Sequence, residues 1–229
     1  MAMLRRTFDH ELQRLQDEVV ALGSMVEDAL VRSVDSLKKR DLDVSRQLIA
    51  ADRAINQKRF AIENDVMTLL ATQQPMAGDL RLLAAVLEIA TELERMGDYA
   101  KGIARINLMI GEKPLIKPLI DLPVMASKAS SMLHRALQAF VQRDVALARA
   151  IPQSDDEIDA LYQQVFRVLM SYILQDPRAI EQANYLLWAA HNLERTADRV
   201  INVCERVIFT VTGELVELGS DDAGIESVS

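Results

Sequence analysis

Long runs of apolar residues spaced three and four apart place the strongest constraint on how this chain can fold. The first run has eight such positions: Leu12, Leu15, Val19, Leu22, Val26, Leu30, Val34 and Leu37. This spacing aligns the apolar side chains on one face of a single α-helix. A helix of that length must bury its apolar face against other helices, so the run predicts a helical bundle.

The amino-acid composition favours the same architecture. Half of the 229 residues are hydrophobic, yet only 4% are aromatic, and eight Gly and six Pro leave few residues for hairpins and turns. Leu, Ala, Val and Met supply most of the apolar surface, as they do in helical bundles. We therefore expect an all-α fold.

Charge and the absence of long apolar segments narrow the class of protein. A net charge of -8 argues against binding to a nucleic-acid backbone, which needs a basic surface. The first residues, MAMLRRTFDHELQ, lack the apolar core of a secretory signal, and no run of about 18 apolar residues is free of charges. We expect a soluble, cytoplasmic protein that reaches a membrane only through its partners.

The helical pattern occurs twice. LKKRDLDVSRQLIAAD at 37–52 aligns with FVQRDVALARAIPQSD at 140–155 at an offset of 103 residues. Further on the offset falls to 100, and residues 80–105 and 180–205 share six identities at helical spacing. An internal duplication explains these matches and predicts two tandem three-helix bundles. The expected bounds are a first bundle at 5–110, a linker at 111–123, a second bundle at 124–212 and a flexible acidic tail at 213–229.

The helices within the first half can be placed approximately. The second helix is expected from about residue 41 to residue 70, and Asp52 is a candidate N-cap for a break near residues 50–52. Pro75 separates this helix from a third one, which is expected from about residue 78 to residue 109.

An acidic motif recurs in the third helix of each half. LERMGDYAKGIARI carries Glu94 and Asp98, and LERTADRVINVCER carries Glu194 and Asp198, with Asn202 one further turn along. Carboxylates four residues apart share a helix face and repel each other. A repulsive pair that occurs twice at corresponding positions needs an explanation.

The middle helix of each half supplies a facing pair. If the helices of the first half are antiparallel and turn near residue 75, Asp52 faces Asp98 and Asn56 faces Glu94. In the second half the turn near residues 176–177 pairs Asp155 with Asp198, and Asp159 with Glu194. Because facing helices lie about 8–10 Å apart, each set of side chains could share one cation or a small cluster.

These residues form a candidate metal site in each bundle. Oxygen-only ligands favour Mg²⁺, Mn²⁺, Ca²⁺ or iron, with zinc less favoured. The candidate ligands are Asp52, Asn56, Glu94, Asp98, Asp155, Asp159, Glu194, Asp198 and Asn202. The competing interpretation is a solvated helix face, because arginines follow both glutamates and Lys101 lies three residues after Asp98.

No catalytic arrangement accompanies the acidic residues. The three histidines, His10, His134 and His191, do not occur in a Glu-x-x-His motif, and there is no phosphate-binding glycine loop or nucleophile–base motif. The apolar residues Val203 and Val207 lie on either side of the single cysteine, Cys204, so we expect a buried structural thiol. We expect no enzymatic activity.

At these motifs the chain resembles the PhoU family of bacterial phosphate-uptake regulators over about residues 5 to 212. The resemblance rests on ADRAIN, QQPMAGDLRLL and the two acidic motifs. The acidic motif of the family is Glu/Asp-x-x-x-Asp; Asn56 departs from it, and Gly102 stands where the second half has Asn202. We therefore expect the second site to hold metal better than the first.

The resemblance implies a function as well as a fold. PhoU-like proteins have two three-helix bundles, often dimerise, and can bind divalent metals or multinuclear metal clusters at their acidic motifs. They act as adaptors between the ATPase subunit of the phosphate ABC transporter and a sensor histidine kinase, and repress the phosphate-starvation regulon when phosphate is plentiful. The resemblance thus implies a homodimeric signalling adaptor. Two alternatives stay open: a carboxylate-bridged metal-binding protein or metalloenzyme, and a plain helical scaffold.

Overall fold

The structure, a computed structural model, describes residues 2–218, with side chains from residue 6 onward. Within that range the chain forms α-helices and two 3₁₀ turns and no strand, which confirms the all-α expectation. The helices are α1 (Ala2–Lys39), α2 (Leu42–Thr72), α3 (Ala77–Ile110), α4 (Asp121–Gln142), α5 (Val145–Ala150), α6 (Asp155–Gln175) and α7 (Ile180–Thr212). No helix in this range combines the length and the apolar character needed to cross a bilayer.

The apolar face that the sequence predicts for α1 is buried along its whole length. All eight positions from Leu12 to Leu37 are at most 7% exposed. The face packs against α2 and α3 of the same repeat and against α4 of the other. The corresponding face of α4, which includes Met125 and Phe140, is buried in the same way.

Both repeats turn the same corner after their first helix. Arg40 and Arg143 have φ angles of 60° and 55°, a left-handed conformation that glycine usually adopts at helix ends. The aspartate that follows caps the next helix: Asp41 accepts hydrogen bonds from the first turn of α2, and Asp144 does so for α5. The shared corner, 103 residues apart, supports the internal duplication.

The middle helices of the two repeats differ in continuity. We expected a break near residues 50–52, but α2 runs unbroken from Leu42 to Thr72 and buries Asp52 within it. The break occurs instead in the second repeat, where the 3₁₀ turn Pro152–Ser154 separates α5 from α6. Proline has no backbone N–H to donate and clashes with the preceding turn, and the first repeat has no proline at this point.

The two repeats pack about an approximate two-fold relation. Side-chain contacts pair Tyr99 with Arg195 and Glu92 with Asn202, so position numbers rise along α3 as they fall along α7. The two helices are therefore antiparallel. On the other side of the core α1 and α4 are also antiparallel, and α2 and α6 pack on the outside of this four-helix layer.

The segments outside the bundles pack against α7. α4 begins at Asp121, so Pro123 lies in the first turn of this helix and not in the linker. Proline is tolerated there because the N–H groups of a first helical turn make no hydrogen bond within the helix. Gln182 donates to Pro114 O at 2.9 Å, which holds the linker. At the other end Leu218 N donates to Glu205 Oε1 at 2.9 Å, while residues 219–229 of the predicted tail lie outside the described residues.

A buried amide joins α3 to the first corner. Asn107 is fully buried, and its Nδ2 donates to Ser36 O, Asp41 O and Ser45 Oγ at 3.0, 3.0 and 2.8 Å. Its Oδ1 accepts from Arg40. Asn107 thus links α3 to both helices at this corner, and its bonds to Ser36 O and Ser45 Oγ are buried.

We expect Asn107→Val to destabilise the protein by about 2–3 kcal/mol, because the corner loses the three hydrogen bonds that a fully buried amide donates and Arg40 loses an acceptor. Valine is the residue at the corresponding position of the second repeat, 207, so its size suits this core. Urea unfolding followed by circular dichroism measures the change. The matched control is Asn64→Val on the exposed side of α2, with an expected change of about 0.5 kcal/mol or less. Equal losses in the two variants would contradict the role given to Asn107.

Candidate functional site

The structure brings together the predicted residues of the first acidic cluster, which we define as Asp52, Asn56, Glu94 and Asp98. An additional side chain, Lys101, joins them. Its Nζ donates to Asp52 Oδ2 at 2.6 Å and to Asp98 Oδ1 at 3.0 Å. Asp52 therefore lies opposite Asp98 across the α2–α3 hairpin, as the position of the turn predicts.

Asn56 acts as a donor in the first cluster. Its Nδ2 lies 3.1 Å from Asp52 Oδ2 and 3.2 Å from the carbonyl oxygen of Asp52. A carboxylate and a carbonyl can only accept, so the amide presents its N–H groups to Asp52. The first cluster thus contains two groups that donate to one buried carboxylate.

Burial and like charge act on the remaining acid of the first cluster. Burial, followed by repulsion from Asp98, raises the pKa of Glu94, while the positive charge of Arg59 opposes the rise. The hydrogen bond to Asp52 raises the pKa of Lys101 against the opposing effect of burial, so this amine keeps its proton at neutral pH.

The second acidic cluster consists of Asp155, Asp159, Glu194 and Asp198, and its composition is different. Ile201, 8% exposed, occupies the position that corresponds to Lys101, and Asp159 replaces the amide of Asn56. No ammonium or guanidinium group forms an ion pair within this cluster among the described side chains. His191 Nδ1 lies 3.0 Å from Glu194 Oε2, and this contact is an ion pair only when the imidazole is protonated.

Crowding of these acids changes their acidity. Burial, followed by the charges of Asp159, Asp198 and Glu194, raises the pKa of Asp155 to about 7. Burial is likewise the first cause that raises the pKa of Asp159 and of Glu194, and in both cases repulsion from Asp198 follows it. The four carboxylates predicted to face each other therefore do interact.

Two buried oxygens of this cluster, Asp155 Oδ1 and Glu194 Oε2, accept no hydrogen bond. Glu194 Oε2 lies within ion-pair distance of the His191 imidazole, whereas Asp155 Oδ1 has no such contact among the described side chains. Asp155 and Asp156 lie in the first turn of α6, where the helix dipole favours negative charge, but this accounts for neither the unpartnered oxygen nor Asp159, which lies beyond that turn.

Asn202 belongs to a different group of residues. Its Nδ2 donates to Glu92 Oε2 at 3.2 Å, and Arg199 Nη1 lies 3.3 Å from the same oxygen. Glu92 is 8% exposed and belongs to the other repeat. The structure therefore does not bring Asn202 into the second cluster. Sequence reasoning overlooked Glu92, although a charged residue within an apolar run is the signal that could have revealed it.

The two acidic clusters differ in how well they fit a metal ion. The first cluster does not fit, because Lys101 already donates to Asp52 and Asp98. The second cluster has the oxygen-only donors that Mg²⁺ or Mn²⁺ prefers, and the unpartnered Asp155 Oδ1 is available to a ligand. Within residues 6–218, however, no three His, Cys, Asp or Glu side chains are arranged as a ready-made metal site. Binding would require the carboxylates to turn toward a common point.

The single cysteine, Cys204, is buried, as expected for a structural thiol. Burial raises its pKa to about 12, which leaves the thiol protonated and unreactive.

Comparison with protein families matches the chain twice. The family model described as the PhoU domain matches residues 19–106 and 122–207, one copy in each bundle. Among curated proteins, the "Phosphate-specific transport system accessory protein PhoU homolog" of Clostridium acetobutylicum is 35% identical over 220 residues, which cover 94% of this chain and 99% of that protein. The protein of the same description from Aquifex aeolicus is 34% identical over 207 residues, 90% and 94% of the two chains.

Two crystal structures are similar over their whole length. The "phosphate transport system regulatory protein PhoU" of Streptococcus pneumoniae superposes with a TM-score of 0.85 at 34% identity, covering 92% of this chain and all of the other. PhoU from Pseudomonas aeruginosa gives the same TM-score at 32% identity, covering 90% of this chain and all of the other. The match over both bundles confirms the predicted family and the tandem architecture.

We expect Asp155→Asn to stabilise the metal-free protein above neutral pH. The folded protein binds a proton at Asp155 that the unfolded chain releases, so stability falls as pH rises from about 4, the pKa of a free aspartate. The fall ends near pH 7, the pKa in the folded state. Asparagine removes this loss, so we expect a gain of about 1 kcal/mol above pH 7, after allowance for screening by solvent, and almost none near pH 4.

Urea unfolding in EDTA across this pH range measures the difference. Glu112→Gln, which removes a carboxylate from an exposed position in the linker, is the control and should show no such trend. An Asp155→Asn variant that is less stable at every pH would show that attraction to the α6 dipole outweighs repulsion within the cluster.

Proposed function

Because this chain belongs to the PhoU family, we propose that it is a regulatory accessory protein of a bacterial phosphate transport system. The main support for this proposal is the double match to the PhoU domain, together with curated relatives that align over nearly their full length. Those relatives are named as accessory proteins of phosphate-specific transport, and the similarity extends over both bundles rather than over one motif.

In the full proposal, the protein is an adaptor that links the ATPase subunit of the phosphate ABC transporter to a sensor histidine kinase. It modulates phosphate uptake and keeps the phosphate-starvation regulon repressed while phosphate is abundant. Such a task needs protein-binding surface rather than catalysis. The α6–α7 hairpin offers such a surface, because Leu174, Ile180 and Trp188 are 85%, 59% and 49% exposed.

The second acidic cluster is proposed to bind a divalent cation such as Mg²⁺ or Mn²⁺, or an iron ion, alone or in a multinuclear cluster. Asp155, Asp159, Glu194 and Asp198 would hold it, and its positive charge would relieve their mutual repulsion. The unpartnered buried oxygen of Asp155 supports this assignment.

We expect deletion of the gene to derepress phosphate-scavenging enzymes in phosphate-rich medium, because the kinase loses its inhibitory partner. Alkaline phosphatase activity and transcripts of the transporter measure the effect, and the wild-type gene supplied in trans should restore repression. Affinity purification from membranes should recover the kinase and the ATPase subunit.

Unchanged expression in a strain without a second copy of the gene would contradict the proposal. Together with metal-dependent stability, that result would favour the alternative of a helical carboxylate metal-binding protein or scaffold without a phosphate-signalling role.

We expect Mn²⁺ or Mg²⁺ at millimolar concentration to raise the melting temperature of the wild-type protein, because a ligand that binds only the folded state stabilises it. A shift of about 5 °C corresponds to about 2 kcal/mol for a chain of this size. The double variant Asp155→Asn, Asp198→Asn should lose the shift, while Asp156→Asn, which removes an exposed neighbouring charge on the same helix, should keep it. A shift of the same size in the double variant would place the cation elsewhere.

A further inference from the structure

The two acidic clusters correspond in sequence but differ in how their charge is balanced. The first cluster contains three carboxylates and the ammonium of Lys101, a formal charge of −2, whereas the second contains four carboxylates and a formal charge of −4. We infer that Lys101 is a built-in cation that closes the first cluster to metal ions, so that the chain offers one acidic cation site and not two.

This inference rests on the position of the Lys101 ammonium group. Lys101 Nζ lies 2.6 Å from Asp52 Oδ2 and 3.0 Å from Asp98 Oδ1, between a carboxylate of α2 and one of α3. This is the point at which a bridging ion would have to bind. The Asp52 and Lys101 side chains are only 8% and 19% exposed, so solvent screens their attraction weakly.

Asn56 contributes to the same closure. It donates to Asp52 Oδ2, the oxygen that also accepts from Lys101. A metal ion that used that oxygen would displace both donors, and Asn56 could join as a ligand only if its amide turned its carbonyl toward the ion. In the second repeat the acid Asp159 occupies this position and offers no donor.

A tethered cation also has a thermodynamic advantage. The lysine is part of the chain, so its effective concentration at Asp52 is fixed and it loses no translational freedom on binding. A divalent ion that entered beside it would meet a like charge at about 4 Å, and repulsion at that distance in a poorly screened site is large. The ammonium would therefore have to leave before the ion could bind.

The inference rests on the proposed ability of the acidic motifs to bind cations, so the experiment examines the two clusters separately. The background protein carries Asp155→Asn and Asp198→Asn, which disable the second cluster. Into it we introduce Lys101→Ile, the residue found at the corresponding position of the second repeat, and separately Lys101→Arg, which keeps the charge. Melting in EDTA and in millimolar Mn²⁺, together with the amount of Mn²⁺ bound at equilibrium dialysis, is measured for each.

We expect no Mn²⁺-dependent shift in the background protein or in its Lys101→Arg variant. The Lys101→Ile variant should melt lower in EDTA, because Asp52 loses its partner, and should regain about 5 °C or more with Mn²⁺ while binding about one additional ion. If this variant does not fold in EDTA, recovery of its helical signal with Mn²⁺ has the same meaning, and Lys101→Gln, which keeps a hydrogen-bonding group, is measured alongside.

Two results would overturn the inference. One is a Mn²⁺ shift in the background protein that disappears with Asp52→Asn, since the first cluster would then bind metal with Lys101 in place. The other is a lack of Mn²⁺ binding in both Lys101→Ile and Lys101→Gln, since Lys101 would then be only an ion-pair partner. Cation binding by the second cluster is measured separately, from the melting shift of the wild-type protein. A missing shift there would contradict the proposed cation site, and it would leave the results for the Lys101 variants to decide this inference.

Discussion

The antiparallel contact between α3 and α7 is the interaction on which the rest of the structure depends. α3 packs against α7 on one face and against α1 and α2 on its others. α7 packs in the same way against α3, α4 and α6. Glu92 is buried in this contact and accepts from Arg199 and Asn202 of the opposite repeat. A shift of one turn would separate Glu92 from both donors on α7 and leave it only Arg95 of its own helix, at a cost above that of an imperfect apolar contact. The polar group therefore determines the register of the two repeats.

Because the contact is approximately two-fold, it places corresponding parts of the repeats in equivalent surroundings. The acidic motifs face away from the contact, toward α2 in one repeat and α6 in the other. The duplicated framework could then diverge in charge without loss of packing. One hairpin contains a lysine that neutralises a buried aspartate and an amide that donates to it. The other contains four carboxylates, and burial together with the charges of the other three raises the pKa of Asp155 to about 7. The sequence difference is small, but the electrostatic difference is large because both sites are partly shielded from water.

Much of the fold and part of the site were predictable from the sequence. The apolar positions of α1 and the facing pairs Asp52–Asp98 and Asp155–Asp198 followed from helical periodicity and from the position of the turns. The prediction of a helix break near residues 50–52 was wrong. A capping residue such as Asp52 permits a helix to start, but it does not interrupt a helix as Pro152 does in the second repeat. The contact of Lys101 with Asp52 was missed because it depends on the reach and rotamer of a long side chain.

The sequence by itself determined the helical class, the duplication, the family and the residues that form the acidic clusters, because periodicity and motif spacing are local properties of the chain. Only the tertiary structure decided which of these residues share an environment. It joined Lys101 to Asp52, directed Asn202 to Glu92, and left Asp155 Oδ1 buried without a donor. The two contacts join side chains of different helices, and the packing between those helices sets their distances and buries the oxygen of Asp155.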